Sequence, residues 1–125
     1  MHNATQIIGN LGRDPVVREH NGNKVANMNV ATNRRYTNGN GDQVTETVWF
    51  QVSVWGGAAE ACGKYLSKGS RIFAEGRIAT PKVFEREDGT SGASLDLNAR
   101  TVRFLDPRPD NVETEYQSDE DIDAE

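Results

Sequence analysis

The side chains with most to offer a ligand lie in one stretch, Val44 to Trp55, which reads V-T-E-T-V-W-F-Q-V-S-V-W and holds both tryptophans of the chain. Side chains of a β-strand alternate between two faces. The even positions Val44, Val48, Phe50, Val52 and Val54 form an expected core face, with only Glu46 out of character. The odd positions place Trp49 and Trp55 among Thr45, Thr47, Gln51 and Ser53. Large flat rings on a polar face are costly to leave in water. This face therefore either binds something that stacks on the indoles or is covered by a loop or a neighbouring subunit. Covalent chemistry has little to work with. The chain has His2, His20 and one cysteine, Cys62, which provide no nucleophile–base pair and no metal cluster. No G-x-x-x-x-G-K-[ST] phosphate loop occurs, and Asp14 and Asp42 sit among turn residues, where acids are solvated or bond to backbone. The residues predict a protein that is not an enzyme and needs no cofactor or metal.

The chain that must position these rings has 125 residues, enough for one domain with a tail (1–106 and 107–125) and a small core. No apolar run is long enough to span a membrane and no secretory signal is visible, so a cytoplasmic location is expected. Cys62, among Ala58, Ala59 and Ala61, fits a buried thiol in a helix. The net charge of −5 hides an asymmetry. Residues 1–105 carry 13 Lys/Arg against 10 Asp/Glu, whereas 106–125 carry Arg108 against nine acids. A mildly basic body joined to an acidic tail fits a nucleic-acid binder with a partner-binding or self-competing tail, or a tail that only solubilises. Residues 107–125 bear too few apolar side chains to offset their ordering entropy and are expected to be disordered.

A first strand is predicted over Ala4–Leu11, with Ile7 and Leu11 on one face and Ile8 and Asn10 on the other, and Val16–Arg18 as a short continuation. Asn21-Gly22-Asn23 reverses the chain. A second strand over Lys24–Asn33 turns Ala26, Met28 and Val30 inward. Arg34, Arg35 and Tyr36 then stand at the base of a mobile loop, Thr37–Asp42. The third strand is Val44–Trp55. Ala58–Leu66 has helical spacing, with Gly63 inside it costing about 1 kcal/mol relative to alanine. One strand over Ser70–Glu85 follows, bent at Gly76 and loosened at Pro81. The last, Ala93–Leu105, shifts its apolar parity from Leu97 and Ala99 to Val102 and Phe104, which predicts a bulge. The fold class is all-β: five strands, with one short helix between strands 3 and 4, close into a barrel of the OB-fold type.

The motifs Ile8-Gly9-Asn10-Leu11-Gly12-Arg13-Asp14-Pro15, Asn29-Val30-Ala31-Thr32, Thr47-Val48-Trp49-Phe50, Tyr65-Leu66-Ser67-Lys68-Gly69-Ser70-Arg71-Ile72 and Glu75-Gly76-Arg77-Ile78 occur in this order. With these motifs the chain, from residue 4 to about 104, resembles the bacterial-type single-stranded DNA-binding proteins. The resemblance implies a homotetramer, a dimer of dimers, that binds and protects single-stranded DNA without sequence preference in replication, recombination and repair. Family base-stacking positions fall on Tyr36, Trp49 and Trp55. A fourth falls on Val83, with Phe84 next to it, so one platform is lost or shifted. Phosphates would be met by Arg34, Arg35, Arg71, Arg77 and Lys82, with Arg86 a further candidate. Ile7, Ile8 and Phe50 are subunit-interface candidates or ordinary core residues. The family tail usually ends in acids, a branched aliphatic, proline and phenylalanine; here Asp119–Glu125 has the acids and Ile122 but no Pro-Phe tip. That departure argues against recruiting the usual replication and repair proteins. The rival reading is a barrel that works as a protein adaptor in replication restart and binds DNA weakly.

Overall fold

Asn21 and Gly22 both take positive φ, 53° and 82°, the pair of left-handed residues that a tight hairpin needs. They join strand β2 (Val16–His20) to β3 (Asn23–Thr37), with His20 opposite Asn23. The computed structural model describes residues 1–106; the acidic stretch over 107–125, expected to be disordered, lies outside them. Its other elements are β1 (Thr5–Leu11), β4 (Gln43–Trp55), α1 (Gly57–Tyr65), β5 (Arg71–Ile78), β6 (Lys82–Glu85), β7 (Ser91–Ser94) and β8 (Asp96–Phe104).

Strands run in the order β1-β5-β8-β4-β3, and a β1–β3 pairing closes the ring into a five-stranded barrel. β2 adds to the flank of β3, as the continuation of β1 beyond Pro15. The β4–β8 pairing at Gln51–Ser53 is parallel and the other pairings are antiparallel. This is the OB-fold barrel expected, with α1 between its third and fourth strands. Ala26, Met28, Val30, Val52, Val54, Ile72, Ala74, Leu97 and Val102 fill it, and Cys62 of α1 is buried with them. Gly63 in α1 has a reason in packing: a β-carbon there would strike Val17 Cγ2 of β2.

Three expectations need correction. The single strand predicted over Ser70–Glu85 is two: pairing with β8 ends at Ile78 and the Ala79 amide, Pro81 lies in the break with no amide hydrogen to donate, and β6 pairs with β7 in a separate hairpin. The second strand runs on through Arg34, Arg35 and Tyr36 to Thr37, paired with Gln43. The loop beyond it is shortened to Asn38–Asp42 and laced internally: the Asn38 side chain accepts from the amides of Asn40 and Asp42 at 2.9 and 3.0 Å. Third, the even face of β4 is core only from Phe50 onward. Val48 is exposed and Val44 half-buried, since β1 backs β3 no further than Ala31 and the hairpin above it is a two-stranded ribbon. Of the residues left open between subunit interface and core, Ile7 is buried in the barrel and Phe50 packs partly against it. The predicted bulge is present: Glu75 faces Thr101 and Gly76 faces Ala99, leaving Arg100 as the extra residue that reverses parity along β8.

Candidate functional site

Cross-strand register carries the two tryptophans into two belts on the outside of the barrel. Trp49 of β4 lies opposite Ala31, Ala31 opposite Asn10, and Asn10 opposite Arg71. One outward row therefore runs Trp49–Ala31–Asn10–Arg71 over four strands. The second belt has Trp55 opposite Val25 and Val25 opposite Arg18. Beside it runs Asn27–Ser53–Asn98–Arg77. The indoles stand six steps apart along the strand, about 20 Å at the usual rise. Trp49 is 50% exposed and Trp55 45%, so both keep a ring face toward solvent.

Each indole has a fixed seat. Trp49 rests on Gly12, where a β-carbon would lie 2.6–2.7 Å from ring atoms. Trp55 meets His20 edge to face, with centroids 6.5 Å apart and planes at 66°. An open groove of about 370 Å³ lies beside Trp55 and His20, lined also by Arg18, Glu19, Val25, Asn27, Ser53 and Asn98. The Ser53 hydroxyl donates to Asn27 Oδ1 at 2.9 Å, which leaves the Asn27 amino group to face outward partners.

The remaining predicted residues fall in three places. On the ribbon, Arg35 shares the pleat of Trp49, but Arg34 and Tyr36 lie on the opposite pleat with Val44 and Glu46. Tyr36 thus faces away from the pleat that carries the tryptophans. Lys82 and Phe84 share one pleat of the β6–β7 hairpin, and Phe84 is exposed with the Arg86 guanidinium 5.5 Å from its ring centre. Arg86 donates to Ser91 O at 2.7 Å. The turn below is held by Asp88, which accepts from the amide and hydroxyl of Thr90; these bonds keep its carboxyl below the usual range. Ile8 stands exposed on β1 beside a shallow depression of about 270 Å³ with Asn10, Asn33 and Arg71.

Three other charged side chains, Lys24, Glu60 and Asp14, make contacts within the fold. Lys24 Nζ donates to Glu60 Oε2 at 2.7 Å, tying β3 to α1; the bond raises the lysine pKa and lowers that of the glutamate. Asp14 accepts from the Lys68 amide at 2.8 Å, the backbone role expected for a turn acid. Among the described residues no three His, Cys, Asp or Glu side chains gather where they could hold a metal. No helix among them is long and apolar enough to cross a membrane.

Sequence reasoning missed Gly12, His20 and Asn98. The Asn21-Gly22 turn could have placed His20, because it fixes the β2–β3 register that carries the histidine toward Trp55. Gly12 and Asn98 meet the tryptophan belts only through strands distant in sequence.

A closed five-stranded barrel with one helix between its third and fourth strands, carrying ring faces and guanidinium groups on its outer surface, defines the class: an OB-fold domain. A profile of the Single-strand binding protein family matches residues 2–105, and the chain belongs to that family. A Neisseria meningitidis single-stranded DNA-binding protein is 37% identical over 110 residues, 87% of this chain and 63% of that protein. The chain thus spans somewhat under two thirds of that relative's length. Single-stranded DNA-binding protein 2 of Chlorobaculum tepidum is 33% identical over 117 residues, 92% of this chain and 78% of the relative. The crystal structure of the small single-stranded DNA-binding protein from Streptomyces coelicolor superposes with a TM-score of 0.68 at 22% identity, over 84% of this chain and 96% of that one. That likeness bears on the fold alone.

Proposed function

We propose that this chain binds single-stranded DNA without sequence preference, and that it acts by binding rather than catalysis. The observation that carries the reading is the pair of half-exposed indoles, Trp49 and Trp55, on one pleat of β4, with Arg71 at the end of the Trp49 row and Arg77 in the row beside Trp55. Each unpaired base offers a π-face, and a stack on an aromatic contributes about 1–3 kcal/mol whatever the base. Arginines around the belts meet the phosphates and release counterions. Tyr36 with Arg34 and Arg35 extends the path along the ribbon, and Lys82, Phe84 and Arg86 along the β6–β7 hairpin.

Family membership supports protection of exposed strands in replication, recombination and repair, and a cytoplasmic, nucleoid-associated place of action. The exposed Ile8 face of β1 is our candidate surface for assembly into a homotetramer. The acids of 107–125 are proposed to compete with DNA for the cationic belts through their charge; a docking role for them with replication and repair proteins is a further proposal.

Tryptophan emission followed during titration with oligo(dT), at two salt concentrations on a sample of known solution mass, tests the reading. Quenching that saturates, with affinity falling as salt rises, is the expected result. Emission indifferent to the oligomer would favour the adaptor alternative and overturn the assignment.

A further inference from the structure

Glu46 is the one charged residue on the otherwise apolar even pleat of β4, and DNA binding by itself gives it no task. Its position is specific. It lies opposite Arg34 in the β3–β4 register, and its Oε1 accepts from Arg34 Nε at 3.3 Å and stands 3.1 Å from the second guanidinium nitrogen. Arg34 in turn holds its guanidinium carbon 4.6 Å from the centre of the Tyr36 ring, two residues along the same pleat. Carboxylate, guanidinium and phenol thus form one stack on the ribbon, all three exposed.

This arrangement covers one face of the ring with a cation and balances that cation with a carboxylate. A base approaching that face must displace the guanidinium. A phosphate reaching for Arg34 must compete with Glu46. We infer that Glu46 is an affinity-setting residue: it holds Arg34 against Tyr36, so that a single strand engages this part of the surface only by breaking the ion pair. Exposed pairs of this kind are weak and salt-screened, so the clasp opens readily and tempers binding without blocking it. Opening it frees a guanidinium for phosphate and a ring face for a base in the same movement.

The inference rests on the reading of Tyr36 as a stacking residue on a DNA-binding surface, and the test separates the two. The unsubstituted protein, Glu46→Gln, Arg34→Gln and the double variant are titrated with oligo(dT) by fluorescence at several salt concentrations. Failure of the unsubstituted protein to bind would defeat the functional reading itself. Given binding, Glu46→Gln is expected to tighten it about three- to fivefold at low salt, as an exposed ion pair allows. It should also steepen the logarithmic salt slope by about 0.7, the value for one more phosphate contact on a single strand. In the Arg34→Gln background the same substitution should change little. An equal gain in both backgrounds would mean only that a negative charge has been removed near DNA, and would overturn the clasp. So would weaker or unchanged binding by Glu46→Gln alone, since the carboxylate would then be presenting Arg34 to the phosphate or have no influence on it.

Discussion

The Trp49 indole lies against the α-carbon of Gly12, with ring atoms Cζ3 and Cη2 within 2.6–2.7 Å of where a β-carbon would stand. The glycine belongs to the segment leaving β1, and its amide donates to Asn29 O at 2.9 Å, so the floor beneath the ring is backbone held in place. Gly12→Ala must push the indole off its seat or the segment off β3. We expect oligo(dT) affinity to fall about five- to tenfold, less than the one to two orders of magnitude expected of Trp49→Ala. The melting temperature should move little, because the ring is half in solvent. Unchanged affinity in Gly12→Ala would mean that the seat does not govern how Trp49 meets a base.

The β6–β7 hairpin offers a gain-of-function test. Val83 is 77% exposed, pairs with Ala93, and presents no π-face, while Phe84 next to it is engaged by Arg86 and lies over Gly92. Val83→Trp should tighten oligo(dT) binding by about one stack, roughly tenfold. Phe84→Ala should weaken it by less than Trp49→Ala does. Binding insensitive to both substitutions would place the hairpin outside the DNA path.

Gly76 is a test of the fold, independent of any ligand. A β-carbon there would strike Asn98 O and come within 2.7–2.8 Å of Ala99 Cα and Asn98 C, all backbone of the paired strand. No side-chain adjustment relieves that contact, and it falls at the bulge where β8 changes parity. Gly76→Ala should cost about 2–4 kcal/mol, which lowers the melting midpoint by roughly 10–20 °C in a domain of this size. A calorimetric midpoint within a few degrees of the unsubstituted protein would refute the close approach.

How far the sequence could be read depended on whether local pattern or distant packing decided the outcome. Parity alone sorted Ala26, Met28, Val30, Val52 and Val54 to the inside and both tryptophans to the outside, because period-2 alternation is a property of one strand. The Leu97-to-Val102 parity shift announced its bulge for the same reason. Val44 and Val48 were misjudged because burial also needs a third strand behind, and β1 ends too soon. The same short β1 left Tyr36 on a ribbon whose two pleats are both wet, so its type pointed to stacking while its parity set it apart from Trp49. Glu46 was visible as an anomaly in sequence, but its meaning required the register that sets it across from Arg34.

The unbacked ribbon has a mechanical consequence. Ala31 and Trp49 form the last rung with another strand beneath it, so the barrel below acts as a plinth and the hairpin above as a springboard. A single strand reaching from Trp55 to Tyr36 would pass from a face braced by the closed barrel to the opposite pleat of a ribbon only two strands wide.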